Sequence, residues 1–109
     1  MADSTRLQQL FTFLDNNPND SFVLFAIAKE YEKLQDGQQA LQYYLKLEGE
    51  DPDYVGTYYH LGKLYELQGE TTQAFATYKK GMQVARKQGD QHALSELAGA
   101  KLSIGDEEE

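Results

Sequence analysis

Apolar residues recur along this chain at the spacing of amphipathic helices. In two stretches, apolar or small side chains follow the order i, i+3, i+4, i+7, which gathers them on one side of an α-helix. The two stretches are Leu24, Ile27, Ala28, Tyr31 and Tyr58, Leu61, Gly62, Tyr65. The pattern therefore predicts an all-α fold class in which each of these helices buries one stripe of side chains.

The second stretch repeats the first after 34 residues. Beyond each stretch an alanine and a tyrosine recur with the same displacement, as Ala40 and Tyr44 and then as Ala74 and Tyr78. Pro18 and Pro52 also lie 34 positions apart, and each precedes a helix that carries one of these stripes. Proline is tolerated there because it breaks no hydrogen bond within the helix. Self-similarity at this period is typical of helix-turn-helix units that stack along the chain.

Breaks in the apolar pattern predict where the helices begin and end. Asp3 or Ser4 can cap a first helix, which stops at Asn16-Asn17-Pro18. The later helices are expected at about residues 21–34, 38–48, 53–68, 71–88 and 90–103, with a turn at Gln35-Asp36-Gly37. Four glycines are expected where helices stop, namely Gly37, Gly49, Gly69 and Gly89. Gly62 is different, because a mid-helix glycine costs roughly 1 kcal/mol and needs a close helix contact as its reason.

These residues resemble the tetratricopeptide repeat family over about residues 21–88. The family's usual Trp corresponds to Leu24 and Tyr58, and its usual Phe corresponds to Tyr44 and Tyr78. The resemblance implies an α-α superhelix of stacked antiparallel helix pairs in one domain, residues 1–104. Its parts would be a half-repeat helix at the N-terminus, units at about 21–54 and 55–88, and a capping helix at about 90–103. The acidic residues 105–109 are expected to be a disordered tail.

The resemblance also implies a function and leaves an alternative open. Family members generally act as non-catalytic scaffolds or adaptors that hold a peptide or helix of a partner protein in a concave groove. Two units are fewer than the three that a stable stack normally needs. Either the flanking helices complete the core, or the domain pairs with another copy of itself, which makes a homodimer and a self-association function the alternative.

Groove positions follow from helical geometry at about 100° per residue. The candidate peptide-binding residues are Phe22, Phe25, Lys29, Glu32, Lys33, Tyr59, His60, Lys63 and Glu66. Aromatic anchors beside cations suit an extended acidic-aromatic peptide or a partner helix. Two simpler interpretations remain open: the phenylalanines can pack under the N-terminal helix, and the lysines can be ordinary solvated positions. Phe25 and His60 stand where some family members carry the Lys and Asn of a carboxylate clamp, so that specific function is not expected.

Composition narrows the possible partners and chemistry. The formal net charge of −8 argues against nucleic acid and anionic membranes as partners, although four of these charges lie in residues 106–109. There is no cysteine and no apolar run near the ~18 residues of a membrane span. We expect no signal peptide, because the first residues lack a basic region followed by an apolar one. The two histidines have no ligand-like spacing to other residues, so we expect no metal, no cofactor, no catalytic residue and no enzymatic activity. The expected location is the cytoplasm.

Overall fold

The computed structural model describes residues 5–105, which form six α-helices and no strand. The helices are α1 (Thr5–Asn16), α2 (Ser21–Lys33), α3 (Gly37–Glu50), α4 (Gly56–Leu67), α5 (Thr71–Gln88) and α6 (Gln91–Ile104). The predicted all-α fold class is therefore confirmed. The chain divides into two compact units, unit 1 ending at Tyr54 and unit 2 beginning at Val55. The cap predicted at Asp3 or Ser4 and the acidic residues 106–109 lie outside the described part of the chain.

Unit 1 is built on α2, which packs against both α1 and α3. Its apolar cluster consists of Leu7, Leu10, Val23, Ala26 and Ile27, with Phe11, Leu14, Tyr31, Leu34 and Tyr43 half-buried against it. The edge of the Phe11 ring faces Tyr31 and Tyr43, whose rings stack 5.8 Å apart. The helix α1 thus packs against α2 and also contacts α3 through Phe11 and Tyr43.

Unit 2 is built on α5, which packs against both α4 and α6. Its buried cluster is Tyr58, Ala74, Tyr78, Ala85, Leu97 and Ala100. At 18 residues α5 is longer than α3 with 14, and it ends only at Gly89, as predicted. The helix α6 contributes Leu97 and Ala100 to the core, so within this unit it fills the place of a capping helix.

Two glycines of unit 2 are needed for close packing. A methyl group on Gly62 would stand 2.2 Å from Cε1 of the Tyr78 ring. A methyl group on Gly81 would stand 2.5 Å from Cβ of Tyr58 and 3.1 Å from Cδ1 of Leu97. The shortest distance at each glycine is far inside van der Waals contact, so these positions admit only hydrogen. The close contact predicted for Gly62 is confirmed.

The turns correct part of the sequence prediction. A residue in the left-handed region closes α2, and it is Gln35 with φ of 60°, while Gly37 is already the first residue of α3. The reason is the hydrogen bond of 2.9 Å from the Asp36 N–H to the Tyr31 carbonyl, which requires the left-handed residue just before Asp36. Gly49 was also expected at a helix end, but it lies inside α3, which continues to Glu50.

The start of α4 differs as well. The sequence placed it near Asp53, whereas the helix begins at Gly56. The Tyr54 N–H donates to the Asp51 carbonyl at 3.0 Å, so the residues around Pro52 form a turn of their own before the helix begins. This turn is fastened to α2 by a hydrogen bond of 2.6 Å from Ser21 Oγ to Asp51 Oδ2.

Candidate functional site

Each repeat carries the same four-residue cluster, which we call the aromatic-lysine cluster. In unit 1 it consists of Phe25, Lys29, Glu32 and Tyr44, and in unit 2 of Tyr59, Lys63, Glu66 and Tyr78. Corresponding members are 34 residues apart. Three members of each cluster come from the first helix, and a buried tyrosine comes from the second.

In unit 2 the cluster is a chain of polar contacts that runs from the surface to the core. Lys63 Nζ lies 5.6 Å from the centroid of the Tyr59 ring and 3.8 Å from Glu66 Oε2. The side chain of Tyr78 is fully buried, and its hydroxyl donates a hydrogen bond to the same Glu66 oxygen. One oxygen of the Glu66 carboxylate thus contacts both Lys63 and Tyr78, and Lys63 also lies over an aromatic ring.

His60 extends this surface along α4. Its ring lies 5.6 Å from that of Tyr59 in an edge-to-face arrangement with an interplanar angle of 85°. The half-buried rings of Tyr59 and His60 therefore form one aromatic surface next to Lys63.

In unit 1 the same cluster is covered by a further aromatic ring. Lys29 Nζ lies 5.8 Å from the centroid of Phe25. The Phe25 ring meets the buried Tyr44 at 6.2 Å and Tyr54 at 5.5 Å, and it is half-buried as a result. Phe25 therefore serves partly as a packing residue between α2, α3 and the turn that ends the repeat.

Burial and charge set the protonation of the cluster. Burial raises the pKa of Tyr44 far above its usual value, and the neighbouring carboxylate of Glu32 raises it further. The pKa of Tyr78 is likewise far above its usual value, first through burial and then through the hydrogen bond to Glu66. Burial also raises the pKa of Glu32, while the neighbouring hydroxyl of Tyr44 and the charge of Lys29 oppose that rise. Both tyrosines therefore remain neutral at any physiological pH.

Two predicted site residues, Lys33 and Phe22, lie outside the aromatic-lysine clusters. Lys33 Nζ lies 3.7 Å from Glu30 Oε1, and the Nε atom of Arg6 approaches the same oxygen at 3.7 Å. Phe22 is 64% exposed and lines a cavity of about 520 Å³ in unit 1. The full lining of this cavity is Arg6, Gln9, Leu10, Phe13, Asp20, Phe22 and Val23.

Sequence reasoning missed the tyrosines that support the cluster. Tyr44 and Tyr78 were predicted only as core residues, and Tyr54 had no predicted role. A signal for the first two existed, since Glu32 precedes Tyr44 by twelve residues and Glu66 precedes Tyr78 by the same distance. Across residues 5–105 no three His, Asp or Glu side chains are grouped so as to hold a metal ion. No helix in this range has the length and apolar character needed to cross a membrane.

Comparison with known proteins places the chain. A family model described as the tetratricopeptide repeat matches residues 23–54 and 55–88. The crystal structure of a tetratricopeptide repeat domain protein from Salinibacter ruber is 49% identical, with 78% of this chain and 94% of that chain covered and a TM-score of 0.75. A solution structure of such a domain from the same organism is 48% identical, with 84% and 92% covered and a TM-score of 0.78.

A more distant neighbour has the same fold. The solution structure of a Bordetella parapertussis protein is 22% identical, with 94% of this chain and 89% of that chain covered and a TM-score of 0.80. No curated protein matches the sequence. The two family-model matches span more than half of the residues, and the Salinibacter domain shares almost half of its aligned residues with this chain. The chain therefore belongs to the tetratricopeptide repeat family, whose members generally act as protein–protein interaction modules and are generally non-catalytic.

Proposed function

We propose that this protein is a non-catalytic adaptor that binds a peptide segment or helix of another protein through the aromatic-lysine clusters of α2 and α4. The observation that carries this proposal is the construction of the same surface twice. Each copy has a lysine within 6 Å of an aromatic ring and a glutamate associated with a buried tyrosine. Core packing alone does not require a lysine over a ring at both places.

The chemistry of the cluster suits a polypeptide ligand. A lysine over an aromatic face is positioned at little entropic cost, and the pair is worth about 0.5–1 kcal/mol at an exposed site. The Lys63 ammonium has three N–H donors, so its single contact with Glu66 leaves donors for a ligand carbonyl or carboxylate. The rings of Tyr59 and His60 provide the apolar contact area that interface anchors need.

A charge-reversal experiment tests this surface. The test variant is Lys29→Glu with Lys63→Glu, and the matched control is Lys46→Glu with Lys80→Glu. The control pair lies on the second helices, is also 34 residues apart and changes the net charge by the same amount. We expect the test variant to recover about tenfold less partner from an extract of the source cells, measured by quantitative mass spectrometry. A tenfold loss corresponds to roughly 1.4 kcal/mol of binding free energy.

Two results decide the outcome of this experiment. Circular dichroism must show the same helical content for both variants, so that lost binding is not lost folding. Equal recovery by the test and control variants would reject the two aromatic-lysine clusters as binding sites.

Self-association is the second candidate, and the cavity of unit 1 favours it. Phe13 and Phe22 line this cavity, and they are 61% and 64% exposed. One cation, Arg6, and one anion, Asp20, lie at the same cavity. Because two-fold dimers place one patch against its own copy, a patch with both charges can pair Arg6 with Asp20 of the partner. Two exposed aromatic rings would supply the apolar contact.

The mass in solution tests this candidate. If the protein self-associates here, light scattering at high concentration gives a mass above that of one chain, and Phe13→Ser with Phe22→Ser lowers it. Leu67→Ser with Leu102→Ser is the control, since these leucines of unit 2 are exposed to at least the same degree. A strictly monomeric mass for the parent protein removes the candidate.

A further inference from the structure

The helix α1 has the position of a second helix in the 34-residue period. Moved back by one period, α3 (Gly37–Glu50) would span residues 3–16, and α1 spans Thr5–Asn16. On α3 the buried residues Ala40, Tyr44 and Leu47 lie on one side of the helix. Their counterparts on α1 belong to a set spaced i, i+3, i+4, i+7, which we call the α1 stripe. It consists of Arg6, Gln9, Leu10 and Phe13.

Contacts in unit 2 show what this stripe does in a full repeat. A methyl group on Gly62 of α4 would overlap the Tyr78 ring of α5, and a methyl group on Gly81 of α5 would overlap Tyr58 of α4. The α1 counterparts of Tyr78 and Gly81 are Leu10 and Phe13. In a full repeat the first helix therefore lies directly on this stripe of the second helix.

On α1 the stripe is open. Phe13 is 61% exposed, whereas its counterpart Leu47 is fully buried. All four residues of the α1 stripe line the cavity of about 520 Å³, and the other residues that line it are Asp20, Phe22 and Val23. A helix lying on α1 would therefore also contact the start of α2, where Phe22 is 64% exposed. Two aromatic side chains would be removed from water.

The sizes of the facing residues indicate which helix fits. The close pairs of unit 2 are Tyr58 with Gly81 and Gly62 with Tyr78. In each pair a large residue faces a small one. On α1 the glycine position holds Phe13, and the tyrosine position holds the smaller Leu10. A helix that approaches α1 as closely needs a small residue where α4 has Tyr58, and it has room for a larger one where α4 has Gly62.

The α1 stripe also contains a cation that such a helix can meet. Both first helices have a glutamate one turn beyond their small residue, Glu32 in α2 and Glu66 in α4. In an antiparallel pair this place is level with Ala74 of α5, whose counterpart on α1 is Arg6. The Nε atom of Arg6 approaches Glu30 at 3.7 Å, but a guanidinium has five N–H donors and this side chain is 58% exposed. Arg6 can therefore also bind a carboxylate of an incoming helix.

We propose that the cavity of unit 1 binds an amphipathic helix of a partner protein, which lies on α1 where the full repeats have their own first helix. The helix has a small residue against Phe13, a larger apolar residue four places later against Leu10, and a glutamate four places after that beside Arg6. A second copy of this chain cannot supply α2 or α4 for this purpose, because Leu24 and Tyr58 on their stripes are fully buried within their own units. The cavity shares no residue with the aromatic-lysine clusters, so the proposal does not depend on them.

Two fluorescein-labelled peptides test the predicted fit. Both have the sequence of residues 53–70 with the change Gly62→Leu. The alanine peptide also carries Tyr58→Ala, whereas the tyrosine peptide keeps Tyr58. The test variant of the full chain is Phe13→Ala, and the matched control is Leu102→Ala, since Leu102 of unit 2 is also 61% exposed. Melting temperatures of both variants show that they fold.

Anisotropy measures the affinity of each peptide for each protein. The parent protein should bind the alanine peptide about tenfold or more tightly than the tyrosine peptide. Phe13→Ala removes the ring that the small residue accommodates, so this variant should prefer the tyrosine peptide, while Leu102→Ala should keep the preference of the parent. The same preference in the parent and in Phe13→Ala, or no binding of the alanine peptide to the parent, would overturn the proposal.

The charge contact is tested with a third peptide, in which the alanine peptide also carries Glu66→Gln. It should bind the parent protein about threefold more weakly than the alanine peptide, as expected for a partly exposed ion pair. The variant Arg6→Gln should bind the two peptides equally, because the carboxylate then has no cation to meet. An undiminished difference in Arg6→Gln would show that the glutamate does not lie beside Arg6, and the proposed orientation of the helix would be wrong.

A second copy of the chain is the other occupant that the measurements distinguish. Light scattering gives the mass of the parent protein with and without the alanine peptide. A monomer that binds the peptide supports the proposal of a partner helix. A dimer that the peptide dissociates would show that a second copy occupies the cavity, and the proposal would fail.

Discussion

Unit 1 and unit 2 build the same helix pair from side chains of different size. Unit 1 has Leu24 on its first helix and Leu47 on its second, and both are fully buried. The corresponding residues of unit 2 are Tyr58 and Gly81, where the tyrosine is much larger than leucine and the glycine much smaller. A methyl group on Gly81 would collide with Cβ of Tyr58, an atom that leucine also has, so the missing side chain lets α5 approach α4 closely at the tyrosine. Unit 2 thus combines a larger ring with a closer helix contact, and both units are tightly packed because residues at facing positions differ together.

A second pair of positions shows the same principle. Ala28 of unit 1 corresponds to Gly62 of unit 2, where even one methyl group would overlap the Tyr78 ring. Each glycine in mid-helix costs roughly 1 kcal/mol relative to alanine. Unit 2 thus accepts two helix-weakening residues within α4 and α5 to place Tyr58 and Tyr78 in its core, both fully buried. Close packing between the helices offsets the lower propensity within them.

The largest effect is expected where the two repeats differ most in volume. Gly81→Leu should destabilise the protein by about 3 kcal/mol, because it forces a side chain into space filled by Tyr58 and Leu97. Tyr58→Leu should cost about 2 kcal/mol by leaving a cavity. The double variant copies the residues of unit 1 and should cost less than the sum of the two by about 1 kcal/mol or more. Urea unfolding followed by circular dichroism measures all three.

The reciprocal changes in unit 1 provide the control. Leu47→Gly should be destabilising alone, and adding Leu24→Tyr should recover part of the loss for the same reason of volume. Strict additivity in both cycles would show that the two positions do not share space, and the size argument would then be wrong.

A smaller effect is expected at a buried hydroxyl. Thr57 is fully buried, and among residues 5–105 its Oγ1 has no hydrogen-bonding partner. Unit 1 has Val23 at the equivalent position, which has the same shape without the hydroxyl. Because an unsatisfied buried polar group costs about 1–3 kcal/mol, Thr57→Val should stabilise the protein by about 1 kcal/mol. Thermal and urea unfolding test this, and Val23→Thr should shift stability in the opposite direction. A less stable Thr57→Val variant would mean that the hydroxyl is bonded.

The fold was predictable because its determinants are local. Stripes at i, i+3, i+4, i+7 identify helices without any tertiary information, and the 34-residue period identifies their pairing. The stripes did not show which of their residues would be most deeply buried, however. Tyr31 and Tyr65 were predicted as core residues, but both are half-buried, whereas Tyr44, Tyr58 and Tyr78 are fully buried. The burial of a residue near the end of a helix depends on the neighbouring element, which periodicity does not describe.

The candidate site was predictable to the same extent. The lysine and aromatic pairs, such as Lys63 over Tyr59, lie four residues apart on one helix and follow from helical geometry. The contacts of Glu66 with Tyr78 and of Phe25 with Tyr54 join different elements, so no local pattern indicates them. The ring of Phe75 likewise links two helices, because Lys79 of α5 and Lys101 of α6 both lie over it.

The two repeats also close their inner turns with different residues. The left-handed position is Gln35 in unit 1, with φ of 60°, and Gly69 in unit 2, with φ of 78°. The next residue in unit 1 is Asp36, whose carboxylate accepts from the Gln39 N–H at 3.1 Å and caps α3. Its counterpart Glu70 makes no such side-chain bond to α5. Unit 1 therefore has the better helix start after the turn, and unit 2 has the better residue for the left-handed position.

The smallest effect should come from exchanging these turn residues. A non-glycine residue in the left-handed conformation destabilises the folded state by about 1 kcal/mol. Replacing it with glycine removes this strain, but glycine loses more backbone entropy on folding, which offsets part of the gain. Gln35→Gly should therefore stabilise the protein by about 0.5 kcal/mol, and Gly69→Gln should destabilise it by a similar amount. Both sites are exposed and neither is involved in core packing, so the two shifts isolate backbone conformation. Shifts of the same sign in urea unfolding would show that the side chain of Gln35 has a contact that outweighs its strain.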